Sequence, residues 1–115
     1  VTAQDLAVGA VGESSRDVAA RVQRARARAA HRLASTPWRL MGQVPGSWLR
    51  SASSGMEPAL LTPLMAALDR GDLTLRGVDR VLRLAWTLAD LAARPAPTAA
   101  DLGGALALRT RGARL

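Results

Sequence analysis

The sequence predicts an all-α fold, a small bundle of four helices with a long loop between the first and second helices. Four segments begin with a helix start signal and continue with apolar residues three and four positions apart, near residues 14–34, 57–70, 74–93 and 98–110. No segment alternates apolar and polar residues with the period of two that a half-exposed strand shows. With three Trp and no Phe or Tyr, the core must consist of Leu, Val and Ala, which suits closely packed helices.

Composition narrows the function. A chain of 115 residues is expected to form one domain, and its formal net charge is +7, with every one of the 16 basic residues an arginine. Arginine binds phosphates and carboxylates with two parallel hydrogen bonds, so a surface patch could meet nucleic acid, nucleotide or an acidic subunit. The absence of Cys excludes disulfides and thiolate metal sites and agrees with a cytoplasmic location. No apolar run reaches the ~18 to 20 residues that cross a membrane, so no membrane partner is expected.

The first helix is predicted to begin at a capping box, Ser14 to Asp17, with Asp in place of the usual Glu or Gln. Residues 1–13 before it carry no sustained period and are interpreted as a linker or a remnant of a preceding domain. Beside the apolar face lies an arginine stripe, which consists of Arg21, Arg24, Arg28 and Arg32. It is either a solvated helix face or a contact strip for DNA or a neighbouring subunit, since arginines at this spacing repel one another without an anionic partner. The adjacent His31 has no second ligand in range and is interpreted as a surface or packing residue.

The loop after the first helix begins at Pro37, because the residue before proline is pushed out of the helical region. Trp38 and Trp48 are expected to fasten this loop to the bundle, with stacking on a nucleotide base as the alternative. One helical turn is plausible at residues 45–50, and a flexible loop is expected at 51–55. Pro63 conflicts with the second helix, which is therefore either kinked there or begins at Thr62. Gly71 is placed to end it in the left-handed conformation.

The third helix is the most regular one, capped by Thr74, with a broad apolar face formed by Val78, Val81, Leu82, Ala85, Leu88, Ala89 and Ala92. Its first turn contains Arg76, where the helix dipole favours an anion, so the arginine gains nothing from its own helix. Free backbone N–H groups beside an arginine suit a phosphate. The alternative is an ion pair of Arg76 with Asp72 or Asp79. Arg80 and Arg83 share the polar face, and Asp79 and Arg83 have the spacing of an intrahelical ion pair.

A second capping box, Thr98 to Asp101, opens the last helix, and residues from Arg109 onward are expected to be a frayed basic tail. Without any Lys, the chain cannot contain a phosphate-binding P-loop of the usual sequence. Its single His has no Ser and Asp partners at a meaningful position, and no cluster has metal-ligand spacing. The chain alone is therefore not expected to be an enzyme.

Three stretches together resemble a known family. Thr74-Leu75-Arg76-Gly77, with the runs at 80–85 and 87–91, resembles the Ser-x-Arg-Gly helix of magnesium-chelatase-like AAA+ ATPases, in particular the ComM/YifB branch. Gly12-Glu13-Ser14-Ser15, with Val18, Arg21, Val22 and Ala25-Arg26, is similar to the segment that joins the ATPase core of that family to its C-terminal helical domain. Asp101-Leu102 and the run at 105–109 are similar to the last helix of the family.

The resemblance implies a lid-type bundle at residues 14–112, with 1–13 a linker or a remnant of the ATPase core and 113–115 a tail. It implies that Arg76 is the sensor-2 arginine, which reaches the γ-phosphate of ATP, and that ATP and Mg²⁺ are bound mainly by a core outside this chain. It also implies a homo-hexamer and, for the ComM branch, action on DNA; Arg80 and the arginine stripe are then candidate anion, subunit or DNA contacts. Trp86 stands where family members carry an arginine, which removes any interface role of that arginine here.

Other function classes remain open from the sequence. Within the same family, the parent protein could be a subunit of a true magnesium chelatase. From different classes come a basic helical module that binds nucleic acid without nucleotide, and a structural oligomerisation domain.

Overall fold

The computed structural model describes residues 14–114, with side chains omitted for residues 52 and 110–114, and this part of the chain contains five α-helices and no strand. They are α1 (Ser15–Arg32), α2 (Gly46–Leu49), α3 (Thr62–Asp69), α4 (Leu75–Leu91) and α5 (Ala99–Arg114). Three 3₁₀ turns lie at Met41–Gln43, Ala52–Ser54 and Pro58–Leu60. The predicted all-α bundle is confirmed, and the one-turn helix α2 lies inside the long loop where a single turn was expected.

Helix α4 is the centre of the bundle and contacts α1, α2, α3, α5 and the first 3₁₀ turn. Its apolar face is fully buried at Val78, Val81, Leu82, Ala85 and Ala89. The predicted cap is present, because the Gly77 N–H donates to Thr74 Oγ1 at 3.0 Å. The hydrophobic core therefore forms around this one helix, and its burial stabilises the domain.

Helix α4 ends in an unusual way, with Ala93 in the left-handed region at φ 61°. The following N–H, that of Arg94, donates to the Ala89 carbonyl at 2.9 Å, which closes the end of the helix. Glycine is the usual residue at such a position because a β-carbon is strained there. Here the left-handed residue is an alanine, so no glycine in the sequence marks the end of this helix. Arg94 and Pro95 follow it.

Helix α1 begins at the predicted capping box, in which the Asp17 N–H donates to Ser14 Oγ at 3.1 Å. It buries Ala25 and Ala29, and Leu33 follows directly at the helix end with no exposed surface. The expected loop begins here. The Thr36 hydroxyl donates to the Leu33 carbonyl at 2.6 Å, which satisfies one of the free carbonyls at the end of the helix.

The long loop is part of the core. Met41, Val44, Leu49 and Met56 are buried, and Trp38 and Trp48 pack against the same cluster. The two indole rings meet edge to face, with centroids 5.9 Å apart, so the tryptophans fasten the loop as expected. The flexible loop expected at 51–55 is wrong in part. Residues Ala52–Ser54 form a 3₁₀ turn in which buried Ser54 donates its hydroxyl to the Ser51 carbonyl at 3.0 Å.

The bounds of α3 and α5 can be compared with the predicted ones. Helix α3 begins at Thr62, with Pro63 in the first turn, where its missing N–H has no partner to lose. Gly71 has the expected positive φ of 81°. Helix α5 continues to Arg114, so the frayed tail expected from Arg109 onward is wrong; Arg and Ala are good helix formers and no proline interrupts the run. The linker expected at 1–13 lies outside the described residues.

Candidate functional site

Arg76 is exposed in the first turn of α4 and forms no hydrogen bond or ion pair with any residue between 14 and 114 that the structure describes. Its two candidate partners are engaged elsewhere. Asp72 accepts from Arg70, with Nε to Oδ2 at 3.0 Å, and Asp79 lies 3.2 Å from Nε of Arg50. The structural alternative for Arg76, a pairing with one of these acids, is therefore absent.

The backbone next to Arg76 offers further donors. Thr74 takes up the N–H of Gly77 through its side chain and the N–H of Val78 through its carbonyl, at 3.0 and 2.9 Å. The N–H groups of Leu75 and Arg76 donate to no residue in the described part of the chain. Two unpaired N–H groups at the positive end of a helix and an adjacent guanidinium form an arrangement suited to a phosphate oxygen.

The rest of the polar face of α4 divides into one exposed and one structural arginine. Arg80 is exposed and pairs with none of the described residues. Arg83 donates from Nη2 to the Val44 carbonyl at 2.8 Å, which ties α4 to the long loop. The expected Asp79–Arg83 ion pair is wrong. Asp79 turns to Arg50 because Gly46 leaves room for its carboxylate, which a β-carbon at Gly46 would overlap.

Two members of the arginine stripe form an internal joint. Arg32 holds the Asp90 carboxylate through two parallel hydrogen bonds of 2.8 Å, and Arg28 Nη1 donates to the Asp90 carbonyl at 2.7 Å. The Arg32 guanidinium also covers the ring of Trp86, with its central carbon 4.1 Å from the ring centroid. The exposed fractions of the Arg32 and Asp90 side chains are only 15% and 4%. Arg28 and Arg32 thus fasten α1 to the last turn of α4, where the dipole favours cations.

The other two members of the stripe differ from each other. Arg21 is half-buried and has an interaction within the molecule. Arg24 is exposed. The stripe also lies at a distance from Arg76, since Asp90 is 14 residues further along α4, about 21 Å at 1.5 Å per residue. The structure therefore separates the sequence-predicted site residues into two regions, Arg76 with Arg80 at one end of α4 and the stripe near the other.

A second buried carboxylate, Asp101, joins the end of α4 to the start of α5. It accepts hydrogen bonds from the guanidinium of Arg94 and from the N–H and hydroxyl of Thr98, the latter two at 2.9 and 3.2 Å. Burial by itself would raise the pKa of Asp101, but the hydrogen bonds from Arg94 and Thr98 outweigh burial and hold the pKa below its ordinary value. This carboxylate belongs to the scaffold.

His31 is exposed and lines an open cleft of about 530 Å³ with Arg28, Arg32, Asp90 and Arg94. Each of these charged neighbours already has an internal partner. In the described residues, no group of three His, Asp or Glu side chains could hold a metal ion. No helix in the same part of the chain is long and apolar enough to cross a membrane.

Fold and site together define a class: a small all-helical domain with exposed arginines. A family model described as magnesium chelatase, subunit ChlI C-terminal, matches residues 12–109, which is most of the chain. The chain belongs to this family of C-terminal helical domains.

Curated relatives agree in extent but carry no functional name. Uncharacterized proteins of Mycobacterium bovis and of two Mycobacterium tuberculosis strains are each 47% identical over 103 residues, which is 90% of this chain. The matched region is 20% of the length of each relative, so this chain spans about a fifth of them. No solved structure matches the chain.

Proposed function

We propose that this domain is the C-terminal lid of a magnesium-chelatase-like AAA+ ATPase and that Arg76 is its sensor-2 arginine. In this role the guanidinium binds the γ-phosphate of ATP, which is held with Mg²⁺ mainly by a core outside this chain. The lid comprises residues 14–112, with 1–13 as a linker or core remnant. The observation that carries the proposal is that Arg76 is exposed and unpaired among the described residues, while both nearby acids are bound to other arginines.

The local chemistry supports a phosphate rather than a metal. Guanidinium and backbone N–H groups are donors only, so they fit phosphate oxygens and cannot ligate Mg²⁺. In the described residues no group of three or more acidic or histidine side chains could bind Mg²⁺. Arg76 would therefore meet the nucleotide through its phosphate, where a positioned cation offsets the charge that shifts during phosphoryl transfer.

For the intact protein we propose a homo-hexameric ring of the ComM type that acts on DNA, as the ComM/YifB resemblance implies. A subunit of a true magnesium chelatase is the alternative within the family. Arg24 and Arg80 are the residues we assign to subunit or DNA contacts, since both are exposed and neither has a partner in the described residues. DNA bound through these arginines should be released steeply by added salt.

The test of the sensor role is Arg76→Ala in the intact ATPase. We expect ATP turnover to fall by about 10²-fold, the usual loss for one preorganised donor at a charged transition state. Thermal stability should be unchanged or slightly higher, because the cation opposes the helix dipole.

Arg16→Ala is the matched control for this experiment. Arg16 is the second residue of α1, follows the Ser14 cap and is exposed, just as Arg76 is the second residue of α4, follows the Thr74 cap and is exposed. Both substitutions remove the same unfavourable interaction with a helix dipole, and only one should affect turnover. Unchanged turnover in Arg76→Ala would refute the sensor assignment, and an equal loss in both variants would indicate a general effect of charge.

A further inference from the structure

Arg109 of α5 lies against the first turn of α4. Its Nη2 and Nε atoms are 3.0 and 3.3 Å from the position that a β-carbon of Gly77 would occupy. Gly77 is buried, and it directly follows Arg76 in the chain. The guanidinium of Arg109 is therefore in tight contact with the position of a β-carbon at residue 77, and so is Thr74 Oγ1 at 3.3 Å.

Nothing in the described residues compensates the charge of Arg109. It is half-buried and forms no hydrogen bond or ion pair with residues 14–109. It also lies at the positive end of the α4 dipole, where a second cation is unfavourable. The internal arginines Arg28, Arg32 and Arg94 each bind a carboxylate or a carbonyl, whereas the guanidinium of Arg109 has no such partner in the described residues and is open to an anion from outside the domain.

We propose that Arg109 is a second phosphate-binding residue, which acts together with Arg76 on the same polyphosphate. The site then consists of two guanidinium groups from two helices and the unpaired N–H groups of Leu75 and Arg76. Two cations match a polyphosphate, which carries several charges, better than a single carboxylate. Arginine is also suited to bind phosphate oxygens in pairs. This inference rests on the proposed function and extends it from α4 to α5.

The role of Gly77 follows from the same geometry. A methyl group at position 77 would press on the Arg109 guanidinium and move it by a few tenths of an ångström while leaving both arginines in the chain. Gly77→Ala should therefore weaken phosphate binding by less than Arg109→Ala does, even though alanine is the better helix former. A purely electrostatic effect of the total charge would not produce this result, because Gly77→Ala changes no charge.

The experiment measures the affinity of the intact ATPase for the Mg²⁺ complex of ATPγS, a slowly hydrolysed analogue of ATP. The affinity for AMP, which lacks the β- and γ-phosphates, is measured separately. We expect Arg109→Ala to weaken ATPγS binding about tenfold, in line with the loss of a charged hydrogen bond, and Gly77→Ala to weaken it by less; both should leave AMP binding unchanged. Arg109→Lys should fall between the wild type and Arg109→Ala. The double variant Arg76→Ala/Arg109→Ala should lose less than the product of the two single losses, because both side chains bind one ligand.

The outcomes separate this inference from the function on which it rests. If Arg76→Ala weakens ATPγS binding and neither Arg109→Ala nor Gly77→Ala does, Arg109 has no part in the site and the sensor role stands. If none of the three variants weakens binding, both proposals are wrong. Independent losses in the double variant would contradict a shared ligand. If Arg109→Ala lowers the melting temperature by several degrees, Arg109→Lys and Gly77→Ala decide the question.

Discussion

At the scale of single residues, Asp90 determines what the arginine stripe does. A helical wheel places Arg28 and Arg32 on one polar face of α1, but their acceptor is 62 and 58 residues away in sequence. Pattern analysis of one helix cannot reveal a partner on another. The available signal in the sequence is Asp90 itself, an acid near the C-terminal end of a helix with a broad apolar face. Its carboxylate would be costly to bury without a partner, so a cation from another element is expected. Arg76 could be proposed from sequence because its signal, a cation in a capped first turn, is local; its role stays a prediction.

The Asp90 joint leads to a prediction for stability. Asp90→Ala leaves Arg32 largely buried without its carboxylate, so the free energy of unfolding should fall by about 3–5 kcal/mol. Urea unfolding followed by circular dichroism measures this change. Arg24→Ala, on the same helix but exposed, should change it by less than about 0.5 kcal/mol. A loss below about 1 kcal/mol in Asp90→Ala would mean that the joint is dispensable.

At the scale of elements, the helices could be predicted where capping and apolar spacing agree, as at Thr74 and Ser14. The end of α4, predicted near residue 93, lies at Leu91; what could not be predicted is the left-handed residue that closes it, because Ala93 adopts a conformation that sequence rules reserve for glycine. For the long loop, the fastening by Trp38 and Trp48 could be predicted, but the burial of Met41, Val44, Leu49 and Met56 could not, because these residues follow no period.

Two neighbouring alanines test the end of α4. Ala93→Gly should raise the free energy of unfolding by about 0.5–1 kcal/mol, because glycine relieves the strain at φ 61° by more than it adds to the freedom of the unfolded chain. Ala92→Gly is the control, since Ala92 has an ordinary φ of −88° and should lose about 0.5–1 kcal/mol. Thermal unfolding of both variants measures the difference. The same sign in both would show that the left-handed turn at Ala93 carries no strain.

At the scale of the whole molecule, the order of the four main helices and the all-α class follow from sequence because each helix has its own start signal. The way the helices are fastened together does not, since three of the joints use arginines bound to Asp90, Asp101 or the Val44 carbonyl. The arginines in these joints are bound inside the domain, although the net charge alone would suggest that they bind a partner. Arg76 and Arg80 at the start of α4 and Arg24 on α1 remain exposed.

The Asp101 joint makes stability depend on acid. Because its folded pKa lies below the unfolded value of about 3.9, its contribution is fully present above about pH 4 and is lost as the pH falls through the folded pKa. Asp101→Asn should therefore lower stability at neutral pH and flatten the decline below pH ~4. Unfolding at a series of pH values measures both effects. Asp69→Asn removes the same charge from an exposed position and controls for net charge; identical acid profiles for Asp101→Asn and the wild type would contradict the prediction.

Helix α4 can also be considered as a mechanical part. It is held at one end, where two arginines of α1 bind Asp90, and in its middle, where Arg83 binds the Val44 carbonyl. Arg76 lies in its first turn, about 21 Å from Asp90 at 1.5 Å per residue. Because α4 contacts each of the other α-helices in the described residues, a displacement of its first turn would be shared by all of them. A phosphate bound by Arg76, as proposed, would therefore move the domain as one rigid body.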